Sequence, residues 1–182
     1  MTKKTLGTAI LALALGIGMS AAAFAQGSER AADRLQNQIR RELVTLPFYS
    51  VFDNFEYKLS SDGVVTLLGQ VHRPTLKSSA ENVVKRIEGV TKVVNKIEVL
   101  PVSSMDDQIR LATYRAIYGH TALQTLAIRA VPPIHIIVKN GNVTLEGVVA
   151  TKLERQVAGA QANGVAGVFS VKNNLRVEGG DS

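Results

Sequence analysis

The sequence predicts an α+β protein made of two tandem α-β-β-α-β modules, each a three-stranded mixed sheet with two helices on one face. Three observations carry this. Residues 63–99 align with residues 141–177 without a gap, and 12 of the 37 positions are identical, where composition alone would give about 3. Hydrophobic spacing changes from a period near 3.6 to a period of 2 in the same order in both copies. A strand-helix-strand crossover is right-handed, which puts both helices of a module on one side of its sheet. Most of the shared residues are turn glycines and core aliphatics, with one threonine and one asparagine, and no constellation among them breaks bonds, so the pattern points to a binding module and away from an enzyme.

The first 25 residues read as an export signal: Lys3 and Lys4, an apolar run from Leu6 to Met19, then Ala23-Phe24-Ala25 before Gln26. The run contains Gly7, Gly16 and Gly18 and is shorter than the ~20 residues a spanning helix needs. Cleavage near Ala25 is expected, leaving a soluble periplasmic or secreted chain. With no cysteine, neither a disulfide nor a lipid-modified cysteine is available. The formal charge is +6; without Lys3 and Lys4 it is +4, and acids intersperse the basic residues. Such a balance suits anionic head groups or cell-wall polymers and argues against nucleic acid.

The elements follow in order. In the first module, expected over 28–100, Ala31, Leu35, Ile39, Leu43 and Leu46 recur at helical spacing with Arg34, Arg40 and Arg41 between them. Phe55, Tyr57 and Leu59 alternate with Glu56 and Lys58, and Ser60-Ser61-Asp62-Gly63 turns the chain into Val65, Leu67, Gly69 and Val71. Pro74 opens the second helix, which ends at Gly89. The last strand alternates Val93, Asn95, Ile97 and Val99 against polar neighbours. Residues 101–105 read as a short linker, 106–178 as the second module and 179–182 as a disordered tail. In the second module Ile134, Ile136 and Val138 lead into Asn140-Gly141, a two-residue hairpin signal because both positions tolerate positive φ. Thr151 and Glu154 have capping-box spacing. The segment 119–131 is longer than its counterpart, with room for an extra helical turn before Pro132-Pro133.

These residues resemble the BON domain family, the bacterial osmotic-stress and nodulation domain. The likeness rests on the element order, on the hairpins Gly-Val-Val-Thr-Leu-Leu-Gly-Gln-Val (63–71) and Gly-Asn-Val-Thr-Leu-Glu-Gly-Val-Val (141–149), and on the endings at 89–97 and 167–175. It covers the chain twice. The resemblance implies a non-enzymatic envelope protein associated with phospholipid binding, membrane integrity and osmotic-stress survival.

Catalytic and metal sites, like cofactors, are not expected. His72, His120 and His135 lack metal-ligand spacing and read as solvent or packing residues, with His135 on the outward strand face beside Ile137. Asp106 and Asp107 read as helix N-terminal carboxylates. Asn95 and Asn173, with Gly69, Gly147, Gly89 and Gly167, read as structural. The candidate lipid- or partner-binding surface lies on the first helix of the second module: Leu111, Tyr114 and Tyr118 form a second apolar stripe flanked by Arg110 and Arg115, with Lys152 and Arg155 as a basic rim. Its expected partners are anionic phospholipid or envelope proteins. The same stripe could instead pack against the first module. The rival function is a protein-interaction adaptor using open strand edges or an outer patch of Ile137 and Val148.

Overall fold

The fold, taken from a computed structural model, is described for residues 20–180, with side chains from residue 30 onward. Most of the expected signal lies outside the described residues, as do the last two residues of the expected tail; Gly180 still closes a turn by donating to the Val177 carbonyl. The first module comprises α1 (Ser20–Val44), β1 (Asn54–Leu59), β2 (Val64–Val71), α2 (Pro74–Val84), β3 (Lys92–Asn95) and β4 (Glu98–Val99). The second comprises α3 (Ser104–Tyr118), a 3₁₀ turn (Gln124–Leu126), β5 (Ile134–Lys139), β6 (Asn142–Val149), α4 (Lys152–Asn163), β7 (Ser170–Asn173) and β8 (Arg176–Val177). α3 begins inside the expected linker, because Ser103 caps it by accepting from the Asp106 N–H.

In each module the central strand pairs antiparallel with the first strand and parallel with the two short last strands. The second hairpin closes with Lys139 opposite Asn142, and Asn140 and Gly141 both take positive φ. Gly147 sits opposite Ile134 at φ +125°, and a Cβ there would lie 2.0 Å from the Pro133 carbonyl oxygen. Gly69 repeats this against Asn54 at 2.1 Å. These two repeated glycines let the hairpin strands approach where no side chain fits.

The single last strand read from the alternation is in fact two strands, and the repeated asparagine is the reason. Asn95 donates to the Lys77 carbonyl (2.9 Å) and to Glu81, while its side-chain oxygen accepts from the Ile97 N–H (3.1 Å). Asn173 makes the equivalent bonds to Arg155 (2.8 Å) and Leu175 (3.2 Å). Each amide satisfies a backbone group released by the break and ties the strand to the second helix.

Two cores result. Ile39, Leu43, Leu67, Leu76, Ala80 and Ile97 fill the first; Ile109, Ile117, Ile136, Leu145, Ala158 and Leu175 fill the second. Leu123 and Leu126, from the longer segment, are buried in the second core, whereas Ile128 is exposed. Val51 belongs to the second core although it precedes β1 of the first module, and Phe52 packs beside it. The modules are therefore joined by more than the linker. A Lys139–Glu98 ion pair adds to the contact.

Candidate functional site

The stripe predicted on α3 is not one surface. Arg110 is only 2% exposed and Tyr118 only 5%, because both side chains fold inward over the edge of the sheet. Arg110 donates to the Val138 carbonyl (2.7 Å) and pairs with Asp107. The Tyr118 hydroxyl donates to the Ile134 carbonyl (2.7 Å) and accepts from the Ile134 N–H (3.1 Å). Burial pushes the phenol pKa up, so it remains a donor. Tyr114 is half-buried, edge-on to Phe52 of the first module and close to Tyr118. Only Leu111 and Arg115 of the α3 set stay exposed. Lys152 and Arg155 are exposed on the first turn of α4.

The inward residues have one task in common. Lys139 opposite Asn142 bounds a two-residue turn, so by ladder alternation the backbone groups of Ile134, Ile136 and Val138 point away from β6. Tyr118 satisfies both groups of Ile134, Arg110 the carbonyl of Val138, and the Val51 carbonyl accepts from the Ile136 N–H at 2.7 Å. Four of the six outward groups of β5 are thus met by side chains of its own module and by the first module's loop, and the Ile136 carbonyl and Val138 N–H have no partner among the described residues. No apolar periodicity reports this. The signal within reach was the loop Leu46-Pro47-Phe48-Tyr49-Ser50-Val51-Phe52, too apolar for a solvated connection.

That loop is held by Asp53, a buried carboxylate that accepts from the Ser50 N–H (3.0 Å), the Ser50 hydroxyl (2.9 Å) and the His72 N–H (2.7 Å). It presents Tyr49, whose ring stacks on Phe55 at 5.1 Å and lies 5.7 Å from the His135 ring. His135 does lie on the outward strand face, yet that face is covered by the first module and the residue is 8% exposed. Desolvation lowers its pKa, against smaller opposing effects of the Asp53 and Ser50 backbone and the Asp53 charge. Ile137 is buried under the same cover while Val148 is half-exposed, so the predicted outer patch is divided. Asp106 does more than face the helix dipole: it accepts from the Asn140 (2.9 Å) and Gly141 (2.8 Å) N–H groups and clamps the hairpin tip.

Among the described residues two surfaces offer exposed groups to a ligand. The first is the outer face of the helix layer of the second module. The Asp106 clamp places the start of α3 at the hairpin tip and Tyr118 places its end beside Ile134. α4 begins just after β6 and runs back, so its first turn lies beside the end of α3. Arg115 on the last turn of α3 and Lys152 and Arg155 on the first turn of α4 are thus exposed at the same end of the helix pair, as is the 62%-exposed Leu153, while Leu111 is exposed one turn earlier on α3. The only acid in that turn, Glu154, is engaged in the capping box. The second is a groove of about 920 Å³ between α1, β1 and the outer sheet face of the second module. No group of three or more potential metal-binding side chains occurs among the described residues.

Residues 32–101 and 121–179 match the family model described as BON domain. The chain belongs to the BON domain family. It is similar to osmotically-inducible protein Y of Escherichia coli (strain K12), 32% identical over 123 residues that cover 63% of this chain. The chain spans 58% of that relative's length. Among solved structures it is similar to CdsD, a structural protein of the type III secretion system of Chlamydia trachomatis, in one case its C-terminal domain. Two such structures each share 14% identity, cover 78% and 80% of this chain and 96% and 92% of their own, and have TM-scores of 0.27 and 0.29. Among the described residues no helix is long and apolar enough to cross a membrane.

Proposed function

We propose that this BON-domain chain is a non-enzymatic envelope protein of the stress response, exported to the periplasm, whose second module attaches to anionic phospholipid surfaces. Membership of the family and the likeness to an osmotically inducible protein support the stress-related role. The observation that carries the membrane contact is the exposure of Arg115, Lys152 and Arg155 at one end of the helix pair together with Leu153, with Leu111 exposed one turn earlier and the carboxylate of the α4 first turn already bonded. Leucines enter the head-group boundary while the basic groups meet phosphate; each cation contributes about 1 kcal/mol at a charged surface, and salt weakens the attraction. Three such groups give roughly 3 kcal/mol.

The test is co-sedimentation of the exported chain with vesicles of phosphatidylglycerol and, separately, phosphatidylcholine. Salt-sensitive binding to the first, reduced about a hundredfold by Arg115→Glu, Lys152→Glu and Arg155→Glu together, is expected. All three side chains are exposed, so circular dichroism of the triple variant should match wild type. Binding that survives the triple reversal would move the contact elsewhere.

A further inference from the structure

The two modules differ at their sheet edges. On β5 four of the six outward backbone groups are met, by Tyr118, Arg110 and Val51. On β1 the Ser60 N–H donates to the Val64 carbonyl (3.0 Å), which fixes the phase of the ladder. Alternation then turns Lys58 and Glu56 toward β2, and Phe55, Tyr57 and Leu59 outward. These are the positions equivalent to Ile134, Ile136 and Val138, since Phe55 lies opposite Gly69 as Ile134 lies opposite Gly147. Among the described residues, none of the outward N–H and C=O groups of Phe55, Tyr57 and Leu59 has a partner. The Tyr57 hydroxyl reaches α1 at the Gln36 carbonyl and leaves the edge uncovered.

This open edge forms a wall of the 920 Å³ groove, which Phe55 and Tyr57 line. Six charged side chains also line it: Arg40, Arg129 and Arg176, and Glu56, Glu146 and Glu178. No ion pair joins any of them among the described residues. Glu56 and Glu146 already accept from Asn54 and Asn174. The three guanidinium groups have no acceptor among the described residues, whereas of the three carboxylates only Glu178 is without a donor, so the unmet capacity of the groove is weighted toward carboxylate oxygen at the side chains and includes the peptide groups along the edge.

We propose that this groove binds an extended, acidic peptide segment of a partner protein, which adds as a strand to β1. Unpaired ladder groups recognise peptide backbone, alternate side chains supply specificity, and the arginines select glutamate or aspartate. A six-residue strand, the length of β1, spans about 20 Å. With four of six outward groups met on β5 and none on β1, β1 is the edge left for pairing. This site is distinct from the helix face assigned to the membrane, so an anchored protein keeps it available.

The test uses the exported full chain and an acetylated, amidated peptide of alternating valine and glutamate ended by threonines. Calorimetry measures binding, and amide hydrogen exchange by NMR locates it. Expected are saturable binding, slowed exchange at Phe55, Tyr57 and Leu59 with none at β5, and more than about tenfold weakening when alternate peptide nitrogens facing β1 are methylated, since several hydrogen bonds are lost. Arg176→Glu should weaken the glutamate peptide and favour a lysine counterpart. Three results would overturn the proposal: no binding at millimolar peptide, binding indifferent to methylation in either phase, or protection of the β1 amides that grows with protein concentration alone, which would make a second copy the occupant.

Discussion

Replacing Tyr118 with phenylalanine removes one oxygen and leaves the ring in place. In this structure that oxygen satisfies both backbone groups of Ile134, at 2.7 and 3.1 Å, inside a site where Tyr118 is 5% exposed. The substitution therefore strands a buried carbonyl and a buried N–H together. Each such group costs about 1–3 kcal/mol; allowing for partial relaxation, the pair should cost about 2–4 kcal/mol. With a urea slope of about 2 kcal/mol/M the unfolding midpoint falls by about 1–2 M, and the melting temperature by roughly 5–15 °C if the modules unfold together. Urea unfolding followed by far-UV circular dichroism measures it, with Tyr114→Phe as the control because that hydroxyl makes no hydrogen bond to the other described residues. A Tyr118→Phe midpoint within about 0.3 M of wild type would refute the edge-closing role.

Other consequences are equally direct. Gly147→Ala forces a Cβ to 2.0 Å from the Pro133 oxygen at φ +125°, so destabilisation above about 2 kcal/mol is expected by thermal unfolding. Asn173→Leu leaves the Arg155 carbonyl and the Leu175 N–H without their partner; it should lower stability by about 2 kcal/mol, and an unchanged melting curve would remove the asparagine from the account. His135 has a folded pKa below its ordinary value because burial disfavours its charged form. The stability this residue confers is thus complete above about pH 6.5 and falls as pH drops below that through the folded pKa. Urea midpoints at pH 7.5 and 5.5 should differ more in wild type than in His135→Gln.

Much of the fold was legible because its determinants are local. The spacing of Leu35, Ile39 and Leu43, the alternation of Ile134, Ile136 and Val138, and Asn140-Gly141 each encode an element within a few residues. The repeated glycines at 69 and 147 carried the register as well, since both mark where strand meets strand. The site was less legible because it depends on where a side chain's polar end goes. Arg110 and Tyr118 stand next to the core residues Ile109 and Ile117 on α3, and a helical wheel places them at the boundary of the buried face. Whether such a residue turns out toward a membrane or in toward a strand edge depends on a distant partner, here Val138 or Ile134. Likewise, the alternation placed His135 on the outer face of its sheet, but the cover comes from residues 49–53 of the other module, which no periodicity within β5 encodes.

Two copies of one module differ at their edges: that of β5 is largely closed and that of β1 is open. Native-state hydrogen exchange of the free chain, resolved by residue, tests this difference directly. The Ile134 and Ile136 amides should be strongly protected and those of Phe55, Tyr57 and Leu59 should exchange fast, with Glu56 and Lys58 slow between them. Equal protection on the two edges, or a reversed order, would contradict it.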